Sequence, residues 1–398
     1  MYDVCIVGGG ASGMATAITI GMKTQNLKIV VLEKKSCICS KVKAAGNGRC
    51  NISNVKTTTF GDSVKFFRKI GVEIKSNKIG WAFPLSERGE DVAYAFERAA
   101  DAYGIIIKKN FTVTEISKVD GYFHIMGETD NSFGKVEKIT AKKVVISSGG
   151  KSYPEFGTTG DSYRFVRKLG HTVNKIRPSL APIECESDFT DCSGTRVKGE
   201  VSLLLRGCVQ SVEEGEIQFT DYGLTGICVF NLSREIVIDE MTRFQDYTVK
   251  LNLLSRYKPQ EIFLVLDIRR GIKDLDTKDL MMSIVNRNIA EKLLSPWIKS
   301  TEKACQLTDD QLKQIVYAFM NVDFIVSKVQ GWRKAQVTSG GVTFSEFNYE
   351  SMESLKCKGL YLTGEVIDLD GPCGGYNLEN AWNTGRKAGS AICIELSR

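Results

Sequence analysis

Gly8-Gly9-Gly10-Ala11-Ser12-Gly13 fits GxGxxG, directly after the apolar run Val4 to Val7 and directly before a stretch of small residues. In such a turn the first glycine permits a tight bend. The second lets backbone approach a diphosphate, and the third lets a helix lie close on a strand. Glu33 lies 20 positions beyond Gly13 (33 − 13), at the end of a second apolar run, where a carboxylate takes a ribose hydroxyl. A glycine turn by itself is a weak signal. With strand, helix and acid in the right order it predicts a dinucleotide held by backbone N–H groups and a helix N-terminus.

Two further glycine-rich segments carry polar side chains suited to the same ligand. Gly46-Asn47-Gly48-Arg49-Cys50-Asn51 follows the second apolar run, and loops leaving the carboxyl ends of sheet strands are where ligands bind. Arg49 could meet a diphosphate or a flavin ring, and Asn51 could hold a flavin edge. Gly374-Gly375-Tyr376-Asn377 precedes a helical stretch. A helix beginning at Asn377 would direct partial positive charge at the pyrimidine of a reduced flavin. On that reading Gly375→Pro weakens binding and lowers the flavin potential. Gly150-Lys151-Ser152 imitates the end of a P-loop, but Val145 stands where GxxxxGK[ST] needs glycine.

The elements that must position these loops can be traced along the chain. Residues 3–34 read as strand, turn, helix and strand, one βαβ unit. Val92 to Tyr103 reads as a helix, and Ile105–Ile107, Val113–Ile116, Tyr122–Met126 and Val144–Ile146 as strands. Past Pro178 and Pro182 short β-type runs dominate to about residue 265, and Asp274 to Val326 reads as helical. Thr308 and Gln311 have capping-box spacing ahead of the face Leu312, Ile315, Val316 and Phe319. The α/β pattern returns with Gly359–Gly364 and a helix over Asn377–Ile394. The expected fold is α/β: a Rossmann-type domain over 1–183 and 329–398, an inserted β-barrel-like domain over 184–270 and a helical insertion over 271–328. The insert from about Glu184 to Lys328 is expected to be dispensable for the Rossmann architecture and required for turnover. Glycine cradle at one end and fold completion at the other favour FAD, because an NAD domain is usually continuous.

Composition narrows the chemistry. Of 398 residues, 53 are basic and 47 acidic, a net charge of +6 with no block of five like charges, so no nucleic-acid partner is expected. No apolar stretch is long enough to span a bilayer, and no basic segment precedes an apolar one at the N-terminus. Twelve cysteines at irregular spacing, with no CxxC, read as free thiols of a cytoplasmic protein rather than a dithiol centre. The only histidines are His124, in a strand-like alternation, and His171, at a helix end. Both read as structural, and no metal site is expected. Trp332, Trp382 and Tyr376 read as core or rim aromatics rather than stacking platforms.

Several segments together resemble the bacterial BaiN-like and aminoacetone-oxidase-like FAD flavoproteins. Lys43 to Asn54 resembles GxGRCNxTN, Gly149 to Asp161 resembles GGxSYPxxGSTGD, and Thr220 to Gly226 resembles THxGxSG. Gln336 to Val342, Gly364 to Asp368 and Gly371 to Asn377 continue the likeness across nearly the whole chain. Two positions depart from it: Asp221 replaces a histidine, and Asn47 stands where glycine is common. The resemblance implies FAD bound by Gly8, Gly10, Ala11, Ser12 and Gly13, with Glu33 and Lys34 at the adenosine end. It extends the contacts to Gly46, Gly48, Arg49, Cys50, Asn51, Val113, Ser148, Gly149 and Gly150. Gly160, Asp161, Gly364, Glu365, Gly374, Gly375, Tyr376 and Asn377 complete the set. The function it implies is an FAD-dependent oxidoreductase moving a hydride between a small organic substrate and NAD(P)H or oxygen, with ring or C=C reduction as in BaiN-like relatives. NAD(P)H is the candidate electron donor. The alternative is a flavin-binding scaffold without redox turnover, or a flavoprotein associated with RNA modification. No proton-transfer residue stands out.

Overall fold

The computed structural model describes residues 1–129, 136–186 and 189–397. The chain forms two compact units, one from Met1–Pro178 and Gln336–Arg398, the other from Ser179–Ala335.

The first unit is organised by the buried strand Tyr2–Val7, whose last four residues are fully covered. It pairs in parallel with Ile29–Leu32 on one side and with Val136–Ile146 on the other. Ile106–Lys108 extends the first edge, and Leu360–Leu362 pairs in parallel with residues 144–146. Strands buried on both faces read as continuous apolar runs, and these do. Within this one sheet the 11-residue strand Val136–Ile146 has two sets of partners: its first half pairs antiparallel with Tyr122–Thr129, its second half in parallel with Leu360–Leu362. Val144–Ile146 is therefore the end of the hairpin strand and not a separate element.

Helix Ala11–Lys23 is buried along nearly its whole length. The C-terminal helix Tyr376–Leu396 crosses it at small residues. A Cβ at Gly385 would stand 2.3 Å from Ser12 O, and one at Gly389 2.8 Å from Thr16 O. These two glycines let the ends of the chain pack backbone to backbone. Trp382, fully buried, stacks near Phe96 with centroids 5.7 Å apart and donates from Nε1 to Ile52 O at 2.9 Å. His171 is buried at the end of helix Asp161–Lys168, with Nδ1 3.0 Å from Glu346 and Nε2 2.8 Å from Ser354 Oγ. His124 lies on the meander strand, 3.3 Å from Thr140 Oγ1. Both histidines have structural partners.

The second unit is a closed six-stranded barrel, ordered 183–186, 223–225, 208–219, 196–205, 247–252 and 322–329. The last strand, Val322–Val329, falls at the end of a stretch read from sequence as helical. Its alternating burial, with Val322, Phe324 and Val326 inward, is a two-residue period that a helical reading ignores. Helices Ile227–Glu235 and Pro259–Arg270 interrupt the stretch read as β. The helices share one apolar core with the barrel, so Leu266, Leu294 and Phe319 pack in the same cluster as Val249 and Phe324. Thr308 does cap helix Asp309–Met320, accepting from Gln311 N at 3.3 Å while Gln311 Oε1 accepts from Thr308 N at 2.8 Å.

Candidate functional site

The cradle at the end of the first strand has a definite division of labour among its glycines. Gly8 holds φ +107°, and a Cβ there would lie 2.6 Å from Ser147 O. A Cβ on Gly13 would lie 2.0 Å from Gly8 O. Both positions are glycine because neighbouring protein demands it. Gly10 differs: its φ is −82°, and a Cβ would meet nothing within 4 Å. Protein packing does not explain that glycine, but a ligand laid against the helix N-terminus does.

Glu33 follows strand Ile29–Leu32 and closes back on the glycine turn. Its carboxylate accepts from Gly9 N and Lys35 N, each at 2.8 Å. Burial pushes its carboxyl up, against the N–H bonds that favour the charged form. Phe111 N donates to Glu33 O at 2.9 Å, which starts the strand carrying Val113 next to that acid. Lys34 pairs with Asp161 at 3.2 Å, and Thr159 Oγ1 donates to the same carboxylate at 2.6 Å. Partial burial opposes ionisation of Asp161, but Thr159 and Lys34 hold it below the ordinary value. Ser148 Oγ, beside Gly8, is buried with no hydrogen-bond partner among the described residues. An orphaned hydroxyl at the glycine turn is what a polar cofactor would satisfy.

The loop after the long central strand joins the cradle to the C-terminal segments. Ser162 Oγ donates to Gly149 O at 2.6 Å, and Gly160 N donates to Gly150 O at 3.1 Å. Gly364, at φ +72°, brings backbone against Ser12, and Gly364 N donates to Thr384 Oγ1 at 3.0 Å. Lys41 Nζ donates to Glu365 Oε2 at 2.8 Å and to Ser152 Oγ at 3.0 Å. Thr338 N donates to Glu365 Oε1 at 3.1 Å. Lys41 went unnoticed in the sequence, where one lysine on a short helix carries no signal. Ser147 did too, although its hydroxyl donates to Val7 O and Gly8 O at 3.0 Å.

The glycine loop 46–51 meets the C-terminal helix. Asn47 has φ +56°, a left-handed conformation that asparagine tolerates, which accounts for its replacing glycine there. Gly46 and Gly48 are also left-handed. Arg49 is paired with Glu87 at 2.6 Å and lies over the Phe83 ring at 4.7 Å. Cys50 is fully buried and its thiol is pushed up to about 12 by burial, so it carries no thiolate at neutral pH. With its amide oriented to satisfy both ends, Asn51 donates to Ser53 O and Ala82 O and accepts from Gly375 N at 3.2 Å. Its amide ties the loop to Ala82 and to the turn before the C-terminal helix. Asn377 is spent similarly, accepting from Gly371 N and donating to Gly371 O at 2.8 Å.

The helix begins at Tyr376, one residue before the expected start, with Gly375 as its cap at φ +97°. Glu379 N donates back to Gly375 O at 3.0 Å. The N–H groups of Tyr376, Asn377 and Leu378 therefore have no acceptor within the helix. Glu379 itself is 1% exposed and accepts from Ser53, Thr59 and Ser63 hydroxyls at 2.6, 2.5 and 2.7 Å. Arg386 stands 3.6 Å from it. That buried carboxylate anchors the 51–63 segment to the first turn of the helix, and sequence reasoning missed it.

The carboxyl ends of the parallel strands thus gather the glycine turn, Glu33 and the Ser148 hydroxyl, while the N-terminus of the C-terminal helix meets the 51–54 loop. The fold and the site together define an FAD-dependent oxidoreductase. The HI0933-like protein Rossmann domain model matches residues 55–391, and the chain belongs to that family. It is 28% identical to a 3-dehydro-bile acid delta(4,6)-reductase of Clostridium scindens, over 98% of this chain and 99% of that one. It is 24% identical to a ribosomal RNA dihydrouridine synthase of Haemophilus influenzae, over 99% of this chain and 98% of that one. Among solved structures, the 3-ketosteroid-delta4-(5alpha)-dehydrogenase of Rhodococcus jostii shares the fold at TM-score 0.51 and 12% identity, over 98% of this chain and 96% of that one. Among the described residues no helix is long and apolar enough to cross a membrane.

Glu33→Ala is expected to weaken FAD binding at least about tenfold, since a charged hydrogen-bonding group is worth roughly 1.5–3 kcal/mol. FMN, which lacks the adenosine half, should bind the variant and the parent alike. Titration of flavin-free protein with each cofactor decides it; an equal loss for both would remove Glu33 from the adenosine site.

Proposed function

We propose that the chain adds two hydrogens across a carbon–carbon double bond conjugated to a carbonyl in a small organic substrate, drawing hydride from NADH or NADPH. The carrying observation is the cradle whose Gly10 is left open by protein, with Ser148 Oγ unsatisfied beside it. FAD, when bound, supplies the hydride chemistry. The cradle and the N-terminus of helix Ala11–Lys23 would hold the diphosphate, Glu33 the adenosine ribose, and Glu365 the opposite side. The first-turn N–H groups of Tyr376, Asn377 and Leu378 offer positive potential to the charge that forms on reduction. Lys41 and Thr338 fix Glu365 in place.

The choice of reaction is supported by the two full-length relatives. One name describes reduction of a 3-oxo steroid skeleton, the other formation of dihydrouridine. Both are saturations of a C=C conjugated to a carbonyl. The weak net charge favours a small molecule over RNA.

The protein should purify yellow, with one FAD that acid or heat releases. Mixed anaerobically with NADH and with NADPH, its visible flavin absorbance should bleach. Adding a 4-ene-3-ketosteroid should then restore the colour with loss of the steroid double bond. Recolouring only by a uridine-containing RNA would move the substrate to a nucleobase. Recolouring only by oxygen would make the chain an oxidase, and no bleaching by either nicotinamide would remove NAD(P)H as donor.

A further inference from the structure

Tyr153 holds φ +54° and ψ +62°, a left-handed conformation that aromatic residues rarely adopt. Among the described residues with positive φ it is the only aromatic. The surrounding loop enforces it. Thr158 Oγ1 donates to Tyr153 O at 3.0 Å and also to Ser152 O. Lys151 N and Ser152 N both donate to Thr338 Oγ1, at 2.7 and 3.2 Å. Backbone strain that neighbours over-determine in this way persists where it aims a side chain.

The aim is at Gln336. Its Nε2 donates to the Tyr153 phenol oxygen at 2.8 Å. That bond occupies a lone pair of the phenol and leaves its own O–H to donate elsewhere. The ring is half-buried, beside Phe156 at 5.7 Å between centroids. The adjacent Ser152 Oγ accepts from Lys41 Nζ at 3.0 Å, and Lys41 also holds Glu365 at 2.8 Å. The pair therefore stands with the loops proposed to hold the flavin. Both histidines and Cys50 are committed or unsuitable. His171 is bound on both nitrogens, His124 lies out on the meander, and Cys50 is sealed in the core.

We propose that Tyr153 is the proton donor of the substrate half-reaction and that Gln336 positions it. This rests on the reading of the chain as a reductase of carbonyl-conjugated double bonds. Bound FAD, reduced by a nicotinamide, would supply the hydride for a C–H bond at the β-carbon. The π pair moves toward the α-carbon and its carbonyl. The Tyr153 O–H bond breaks, its proton forms the second C–H bond, and its electron pair remains on the phenol oxygen. The Gln336 N–H stabilises that phenolate until water returns a proton. Burial pushes the phenol up and the Gln336 bond pulls it down. Burial is the larger effect, and a donor held weakly acidic in this way gives up its proton only as the substrate becomes carbanionic.

The test separates the two halves of turnover in the FAD-loaded protein. Tyr153→Phe should bind FAD and be bleached by NADH or dithionite at the parent rate. Its recolouring by a 4-ene-3-ketosteroid should slow at least about a hundredfold. Gln336→Leu should slow the same step by about tenfold. A second readout uses the flavin-free full chain labelled at the tyrosine ring carbon. The resonance that Tyr153→Phe removes should titrate at higher pH in Gln336→Leu than in the parent. Recolouring of Tyr153→Phe within about twofold of the parent would overturn the proton donor and leave the reductase reading intact. An unmoved titration in Gln336→Leu would overturn the positioning role. A parent protein that bleaches but is never recoloured by the enone would sink the reductase reading, and the proton step with it. Should Tyr153→Phe lose FAD, the recolouring rate of Gln336→Leu decides instead.

Discussion

Gly10→Val is expected to leave the chain folded and to weaken FAD binding by more than about a hundredfold, or roughly 2.7 kcal/mol. The two halves of that expectation come from different observations. The backbone at Gly10, φ −82° and ψ −167°, is extended and open to any residue. A Cβ there meets nothing within 4 Å, so the valine neither clashes with protein nor strains the chain. What it fills is the space in front of the helix N-terminus, where a diphosphate needs backbone contact. Gly13→Ala should behave in the opposite way. Its Cβ would lie 2.0 Å from Gly8 O, which is backbone and cannot swing aside. Overpacking of that kind costs about 1–3 kcal/mol or more of stability, with flavin lost as a consequence of misfolding. Thermal melts of the flavin-free proteins, set beside FAD titrations, separate the cases. A Gly10→Val protein that bound FAD like the parent would show that the cradle is only a turn.

The contrast also explains what could be read from the sequence. The cradle was legible because GxGxxG fixes three backbone requirements at once, and Glu33 a fourth, each tied to residue type. The strands Tyr2–Val7 and Ile29–Leu32 were legible as short apolar runs between turn residues. The barrel-closing strand Val322–Val329 was hidden because it follows directly on helix Asp309–Met320, with no glycine or proline between them. Side-chain roles were harder to read where polar residues had two uses. Asn51 and Asn377 have the residue types and positions of ligand contacts, yet their amides bind backbone from other segments. Sequence order does not reveal that Gly375 would be close enough to take the first of them. Glu379 and Lys41 were invisible for the converse reason. Their partners lie 316 to 326 residues away for Glu379, and 324 away at Glu365 for Lys41.

Asn377→Asp is expected to lower the flavin midpoint potential by tens of millivolts, where about 30 mV corresponds to roughly 1.4 kcal/mol for a two-electron couple. Gly375→Pro, the substitution that sequence suggests for probing this helix end, is the wrong tool. Gly375 sits at φ +97°, which proline cannot adopt. Its N–H is spent on Asn51, and a Cβ would lie 2.3 Å from Ser53 O. That variant should lose the turn and the flavin together. Asn377→Asp keeps the backbone and the size of the side chain. Its Oδ1 still accepts from Gly371 N, while the donations to Gly371 O and Pro372 O are lost and the new oxygen must turn away from both carbonyls. The new charge lies in the first helical turn, where it is tolerated because the N–H groups there favour an anion. By occupying that potential, it competes with the negative charge a reduced flavin would place there. The reduced form should lose more stabilisation than the oxidised ring, so the potential falls while FAD stays bound. A spectroelectrochemical titration of the loaded variant against the parent measures the shift. An unchanged or raised potential would mean that the N–H groups of Tyr376 to Leu378 face something other than the pyrimidine edge, and the cofactor's redox end would have to be sought at another loop of the same sheet edge.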